Sequence, residues 1–321
     1  MDGRSDNLST RPSTLRWKIL RRALLRRPAS PPDNQSQLDI EKVSRKASQG
    51  FNLIPCSLLE NCSEDKSDAL LRKDTTCSSR DTLLCYTLPL PNSPQLAVHQ
   101  RVNDILDLND FQICNECNID NTGLVCQWPS EDVLAYYCLS HTDMFRHKRV
   151  IELGSGYGVA GLVVAVATDA LEVVITDGNP QVVDYIQRSV ITNSGVFGST
   201  VVKSMILHWG QENVSDISST FDYIIASDCT FFKEFQEGLA ETIKLLLKKE
   251  GPSEALLFCP KRGDSLDKFL GKVKSIGLSF STEIKYDSEI WRRHERFVDG
   301  DESWPNYEMD HCYPLLVRIT R

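Results

Sequence analysis

Long apolar runs are scarce in this chain of 321 residues. Stretches such as 161–167 and 255–258 fall well short of the roughly 20 residues that span a bilayer. No membrane-spanning helix is expected. The first residues lack an apolar stretch followed by a small-residue cleavage site, so secretion is not expected either. The eleven cysteines are irregularly spaced, which suits free thiols in a reducing compartment better than a disulfide framework. The expected location is the cytoplasm, with the nucleus as a second. Cys114 and Cys117 form a C-x-x-C pair, but Cys126 and Cys138 downstream lack the matching spacing, so no metal is expected.

Other chemistries lack their signatures. No G-x-x-x-x-G-K-[ST] phosphate loop, G-x-S-x-G elbow or H-E-x-x-H helix occurs, which removes support for nucleotide hydrolysis, serine hydrolysis and zinc proteolysis. No repeat runs at a fixed period. A net charge of -8 argues against general nucleic-acid affinity. The charge is uneven, however. Arg11, Arg16, Lys18, Arg21, Arg22, Arg26 and Arg27 cluster without an intervening acid, and residues 15–25 could form a short basic amphipathic helix.

Composition divides the chain into three. Residues 1–80 are rich in Ser, Arg, Asp and Asn and are expected to be largely disordered or loosely attached. Residues 81–120 contain two β-prone runs, 82–88 and 96–102, flanking Pro-Asn-Ser-Pro, and read as a hairpin extension. Over residues 121–321 strands and helices alternate. Helices are predicted over 131–138, with Pro129 and Ser130 before it, and over 159–167, 180–193, 234–249 and 265–276. Strands are predicted over 149–153, 172–176, 201–207, 221–227 and 255–259, then over 279–286 and 315–320. This is an α/β pattern: a Rossmann-like, doubly wound, mostly parallel sheet with an antiparallel terminal strand.

The segment V-I-E-L-G-S-G-Y-G-V-A-G (150–161) places Gly154, Gly156 and Gly158 where a strand turns into a helix. Glycine permits that backbone and allows a ligand to approach it closely. The string also fits G-x-G-x-x-G through Gly161, so the glycines alone do not separate a nicotinamide dinucleotide from S-adenosylmethionine. Glu152, two residues before Gly154, is expected to face the turn, where it would attract an ammonium and repel a pyrophosphate. Asp177, ending the next strand, suits the hydroxyls of a ribose. Asp228 ends the strand F-D-Y-I-I-A-S-D and is followed by Cys229, Thr230, Phe231 and Phe232, with Phe231 the better site candidate of the two rings.

The set T-G-x-x-x-x-W-P-S-E-D-V-L-A, E-L-G-S-G-Y-G, D-G-N, L-H-W-G and S-D-C-T-F-F resembles the seven-strand protein-lysine methyltransferases over roughly residues 120–320. D-C-T-F-F and W-R-R-H-E-R-F narrow the resemblance to members that act on calmodulin. The resemblance implies transfer of methyl groups, up to the trimethyl state, from S-adenosylmethionine to a lysine of an acidic partner. It places Gly154, Ser155 and Gly156 at the methionine, Asp177 at the ribose, and Trp209, Trp128 and Ser227 around the rest of the cofactor. Asp228 and Phe231 are the expected catalytic pair, Asp228 orienting the amine and Phe231 walling its channel; many members carry tyrosine where this chain has Phe231. Arg292, Arg293 and Arg296 are expected to help attract an acidic partner. The alternatives are an NAD(P)-dependent oxidoreductase and a non-catalytic calmodulin-binding protein on the same fold.

Overall fold

A computed structural model describes residues 50–59, 81–91, 94–101, 106–210 and 215–321. The basic cluster and the candidate helix at 15–25 lie outside the described residues.

Seven strands form the main sheet: β4 (Arg149–Leu153), β5 (Glu172–Asp177), β6 (Val201–Ile206), β7 (Tyr223–Ser227), β8 (Glu254–Pro260), β9 (Ser279–Glu283) and β10 (Pro314–Thr320). Their spatial order is β6-β5-β4-β7-β8-β10-β9. The first five in that order run parallel, and β10 lies antiparallel to both neighbours. The chain therefore moves outward from β4 to one edge and returns on the other side of β4. That reversal opens a crevice beyond the carboxyl ends of β4 and β7.

Both faces of the sheet are covered because successive strand residues point opposite ways. Val150, Ile225, Leu256 and Leu316 face one core. They pack with α3 (Pro129–Ser140), α4 (Val159–Ala167) and α5 (Pro180–Thr192). Ile151, Ile224, Leu257 and Val317 face the other core, beneath α6 (Gln236–Leu246) and α7 (Ser265–Ser275). Two short helices, α1 (Leu108–Cys117) and α2 (Thr122–Val125), precede α3. No helix among the described residues is long and apolar enough to cross a membrane.

The predicted hairpin is present as β2 (Asp81–Thr87) and β3 (Gln95–Arg101), and β1 (Cys56–Leu58) adds a third antiparallel strand. The outer edge of β3 is satisfied by α5. Asn193 Oδ1 and Ser189 Oγ accept from the Ala97 and His99 amides at 2.9 Å each, which blunts an otherwise open edge.

Residues 50–59 depart from the expected loose attachment. Phe51 is 1% exposed and meets Phe297 and Trp304 edge-on at 5.5 and 5.7 Å. Its carbonyl accepts from Arg293, and the Leu53 amide donates to Asp132 at 2.8 Å. Phe297 belongs to α8 (Ser288–Val298), a helix the sequence reading passed over. Phe51→Ala should cost about 3–5 kcal/mol, the usual range for emptying a buried ring site, read as a lower chemical-denaturation midpoint. A midpoint equal to wild type would show that this segment does not hold the fold.

Candidate active site

The glycine turn is built by backbone conformation. Gly154, Gly156 and Gly158 have φ of 59°, 56° and 73°, a region costly for residues with a Cβ. A Cβ on Gly154 would lie 2.8 Å from both Cys229 Sγ and Trp209 Cζ2. One on Gly158 would lie 2.7 Å from Ile175 Cγ2, and one on Gly161 would lie 2.6 Å from Glu152 Oε2. The glycines thus divide: Gly154 lets Cys229 and Trp209 pack against the turn beside the cleft, while Gly158 and Gly161 let α4 settle on the sheet.

The cleft offers about 190 Å³ at the carboxyl edge of the sheet. Gly154, Ser155 and Gly156 line it from the turn after β4, Asp177 from the end of β5, and Trp209 from beyond β6. Ser227 and Asp228 line it from the end of β7, and Trp128 from the start of α3. Asp177 is held in place: its Oδ2 accepts from the Gly156 amide at 3.0 Å and its Oδ1 from the Asn179 amide at 2.9 Å.

Three expected site residues lie elsewhere. Glu152 is 1% exposed and its Oε2 accepts from the Gly161 amide at 2.7 Å, behind the turn and in the first turns of α4. Burial pushes its carboxyl well above the usual range; the Gly161 hydrogen bond opposes this, and the nearby Glu131 and Asp177 charges reinforce it. Gly158 serves packing, as above. Phe231 is not among the lining residues; Phe232 and Phe235 are. Its ring instead lies under the Arg262 guanidinium at 5.2 Å.

Asp228 is tightly held, with a φ of 58° and a side chain 4% exposed. Both of its oxygens meet Arg262, with Nη2 donating to Oδ2 at 2.7 Å, and Ser130 Oγ donates to Oδ2 at 3.2 Å. Burial raises the Asp228 carboxyl, while the Arg262 charge and the hydrogen bonds from Arg262 and Ser130 pull it down. Ser130, expected just before the helix, lies inside its first turn. Trp128 holds the N-cap position, with Pro129 in the first turn, and Ser130 is fully buried against Asp228.

Arg262 and Glu131 are contributors the sequence reading missed. Glu131 is 5% exposed and lines the cleft from the first turn of α3, where its spacing reads only as a helix-start signal. Arg262 lies 34 positions beyond Asp228, and nothing local marks it. The candidate steering arginines are already engaged: Arg292 and Arg293 pair with Glu289, and Arg296 with Asp301. Of the C-x-x-C pair, Cys117 lines the cleft and Cys114 donates to the Ile119 carbonyl, whereas Cys138 is buried within α3.

A doubly wound sheet with a glycine turn after its central strand, a carboxylate ending the next strand and a cleft at the switch point defines a Rossmann-like cofactor-dependent enzyme. Residues 107–276 match the lysine methyltransferase family model. The chain is 59% identical to calmodulin-lysine N-methyltransferase of Arabidopsis thaliana, over 98% of this chain and 99% of that protein. It is 23% identical to the mouse protein-lysine N-methyltransferase EEF2KMT over 70% of this chain and 65% of that protein. Identity to zebrafish (Danio rerio) protein N-lysine methyltransferase METTL21A is 28%, over 50% and 71%. This chain belongs to the lysine methyltransferase family and is a protein-lysine methyltransferase.

Proposed function

We propose that the cleft binds S-adenosylmethionine and that the methyl acceptor is a lysine of calmodulin. One observation carries the cofactor reading. Asp120, Glu131, Asp177 and Asp228 line the cleft, and no Lys or Arg is among the described lining residues. A sulfonium and an ammonium suit such surroundings, whereas the pyrophosphate of a nicotinamide dinucleotide would approach a carboxylate-lined wall that presents no Lys or Arg side chain among its described lining residues to receive it. Gly154 lets Trp209 pack directly against the turn, which fixes the indole as part of the cleft wall. Bound there, S-adenosylmethionine would supply an electrophilic methyl group. Asp177, Trp128, Trp209, Ser155, Gly156 and Ser227 are the residues proposed to hold it.

The protein's own task is alignment and exclusion of water. A lysine amine has an ordinary pKa of about 10.4 and reacts only after losing its proton. Phe232 and Phe235 wall the cleft with apolar surface, which favours the neutral amine by desolvation, its proton passing to water before the methyl group is transferred. Calmodulin as acceptor is supported by the name and near full-length similarity of the Arabidopsis relative.

The test combines calorimetry with S-adenosylhomocysteine and NAD, and intact-mass analysis of calmodulin, calcium-loaded and calcium-free, after incubation with S-adenosylmethionine. The expected result is binding of S-adenosylhomocysteine alone and mass gains in methyl steps on one lysine. Binding of NAD instead would overturn the cofactor reading. Cofactor binding without any gain on calmodulin would overturn the acceptor.

A further inference from the structure

Arg262 is a costly residue for its place. It follows β8 in the turn Lys261-Arg262-Gly263, with φ of 42° at Arg262 and 66° at Gly263, so two consecutive left-handed residues lead the chain away from the strand end. The Arg262 amide donates to the Asp310 carbonyl at 2.7 Å, which anchors the turn. The side chain is only 7% exposed. Its guanidinium engages both oxygens of Asp228 and lies over two rings, 4.8 Å from the centroid of Trp128 and 5.2 Å from that of Phe231.

Burying a charge pair is seldom the most stable way to fill space, because desolvation offsets most of the attraction and an apolar side chain of similar volume often does as well. What the pair supplies is geometry. A planar guanidinium can bind a carboxylate bidentately and stack on aromatic faces at the same time, which an ammonium cannot do. Here it ties together the start of α3 through Trp128, the end of β7 through Asp228 and Phe231, and the turn after β8. Trp128 and Asp228 line the cleft; Arg262 stands behind them.

We propose that Arg262 is a positioning residue for methyl transfer, fixing the Asp228 carboxylate and the separation of Trp128 from Phe231 so that the acceptor side of the cleft is preset. It also occupies Asp228 with two charged donors, so that this carboxylate orients and does not serve as the proton acceptor. The proposal rests on the methyltransferase reading above.

The test compares wild type with Arg262→Lys and with the double variant Asp228→Asn/Arg262→Met, which removes both charges and keeps the site filled. Melting, S-adenosylhomocysteine affinity, and kcat and KM for the protein acceptor are measured on each. Arg262→Lys should lower the affinity for S-adenosylhomocysteine only about threefold, through Trp128, while kcat falls on the order of 100-fold, the scale of a misaligned reaction. The double variant should fold and stay comparably slow. Wild-type kcat in either variant would overturn the proposal. So would a loss of kcat matched by an equal loss of cofactor affinity, which is the mark of a merely structural role. Failure of the wild type to transfer any methyl group would instead overturn the methyltransferase reading, and it is seen before any variant is compared.

Discussion

Asp228→Ala is expected to destabilise the protein by about 3–5 kcal/mol, the range for removing one partner of a buried ion pair. The substitution removes few atoms and little apolar surface. Its effect comes from what remains: the Arg262 guanidinium, 7% exposed and flanked by Trp128 and Phe231, would keep a full charge with no carboxylate to meet it. Nearby rings attract a cation by roughly 1–2 kcal/mol when it is desolvated, less than the penalty, so they cannot compensate. In a thermal melt the loss should appear as a fall of roughly 10 °C, since each kcal/mol shifts a large domain by about 2–4 °C. Asp228→Asn should fall less, because the amide still offers one acceptor oxygen to the guanidinium. Methyl transfer should drop in both variants. A melting point unchanged in Asp228→Ala would mean that Arg262 finds another anion or reaches solvent, and the buried pair would then lose its assigned role.

The sheet was readable because a strand buried on both faces announces itself by continuous apolar residues, as in Val150-Ile151 and Ile224-Ile225-Ala226. The glycine turn was readable because its spacing has few other uses. What failed was direction. Glu152 follows Val150 by two positions, and period-two alternation puts both on the face covered by α3 and α4. The rule that located the strand already sends Glu152 under α4, into the space left by the missing side chain of Gly161, and away from the strand tip. Phe231 and Phe232 are adjacent on an irregular segment with no periodicity to order them, so the sequence could not say which faces the cleft. Helix α8 did carry a signal: Ile290, His294 and Phe297 are its buried positions, and Asp287 caps it by accepting from the Glu289 and Ile290 amides. The charged residues between them masked that stripe. Arg262 and Phe51 are legible only in three dimensions, since the partners that explain them are 34 and about 240 positions away.

Gly154→Ala should abolish measurable binding of S-adenosylhomocysteine while leaving a folded protein, the largest functional effect expected from a single added methyl group. The new Cβ would stand 2.8 Å from Cys229 Sγ and from Trp209 Cζ2, closer than non-bonded atoms approach, so Trp209 or the turn must move. Both line the cleft, and either movement intrudes on the ligand's space. The positive φ of 59° adds about 1–2 kcal/mol of strain for a residue with a Cβ, a modest part of a typical stability of 5–15 kcal/mol. A 100-fold loss of affinity corresponds to only 2.8 kcal/mol, which a displaced indole and a lost backbone approach can readily supply. Gly158→Ala is the control with the opposite signature. It has a similar φ of 73°, but its clash is with Ile175 beneath α4, so its cost should fall on the melting temperature, with cofactor affinity reduced far less. If Gly154→Ala bound S-adenosylhomocysteine as tightly as wild type, the ligand could not rest against the glycine turn and Trp209, and the cofactor would have to be placed elsewhere along the sheet edge.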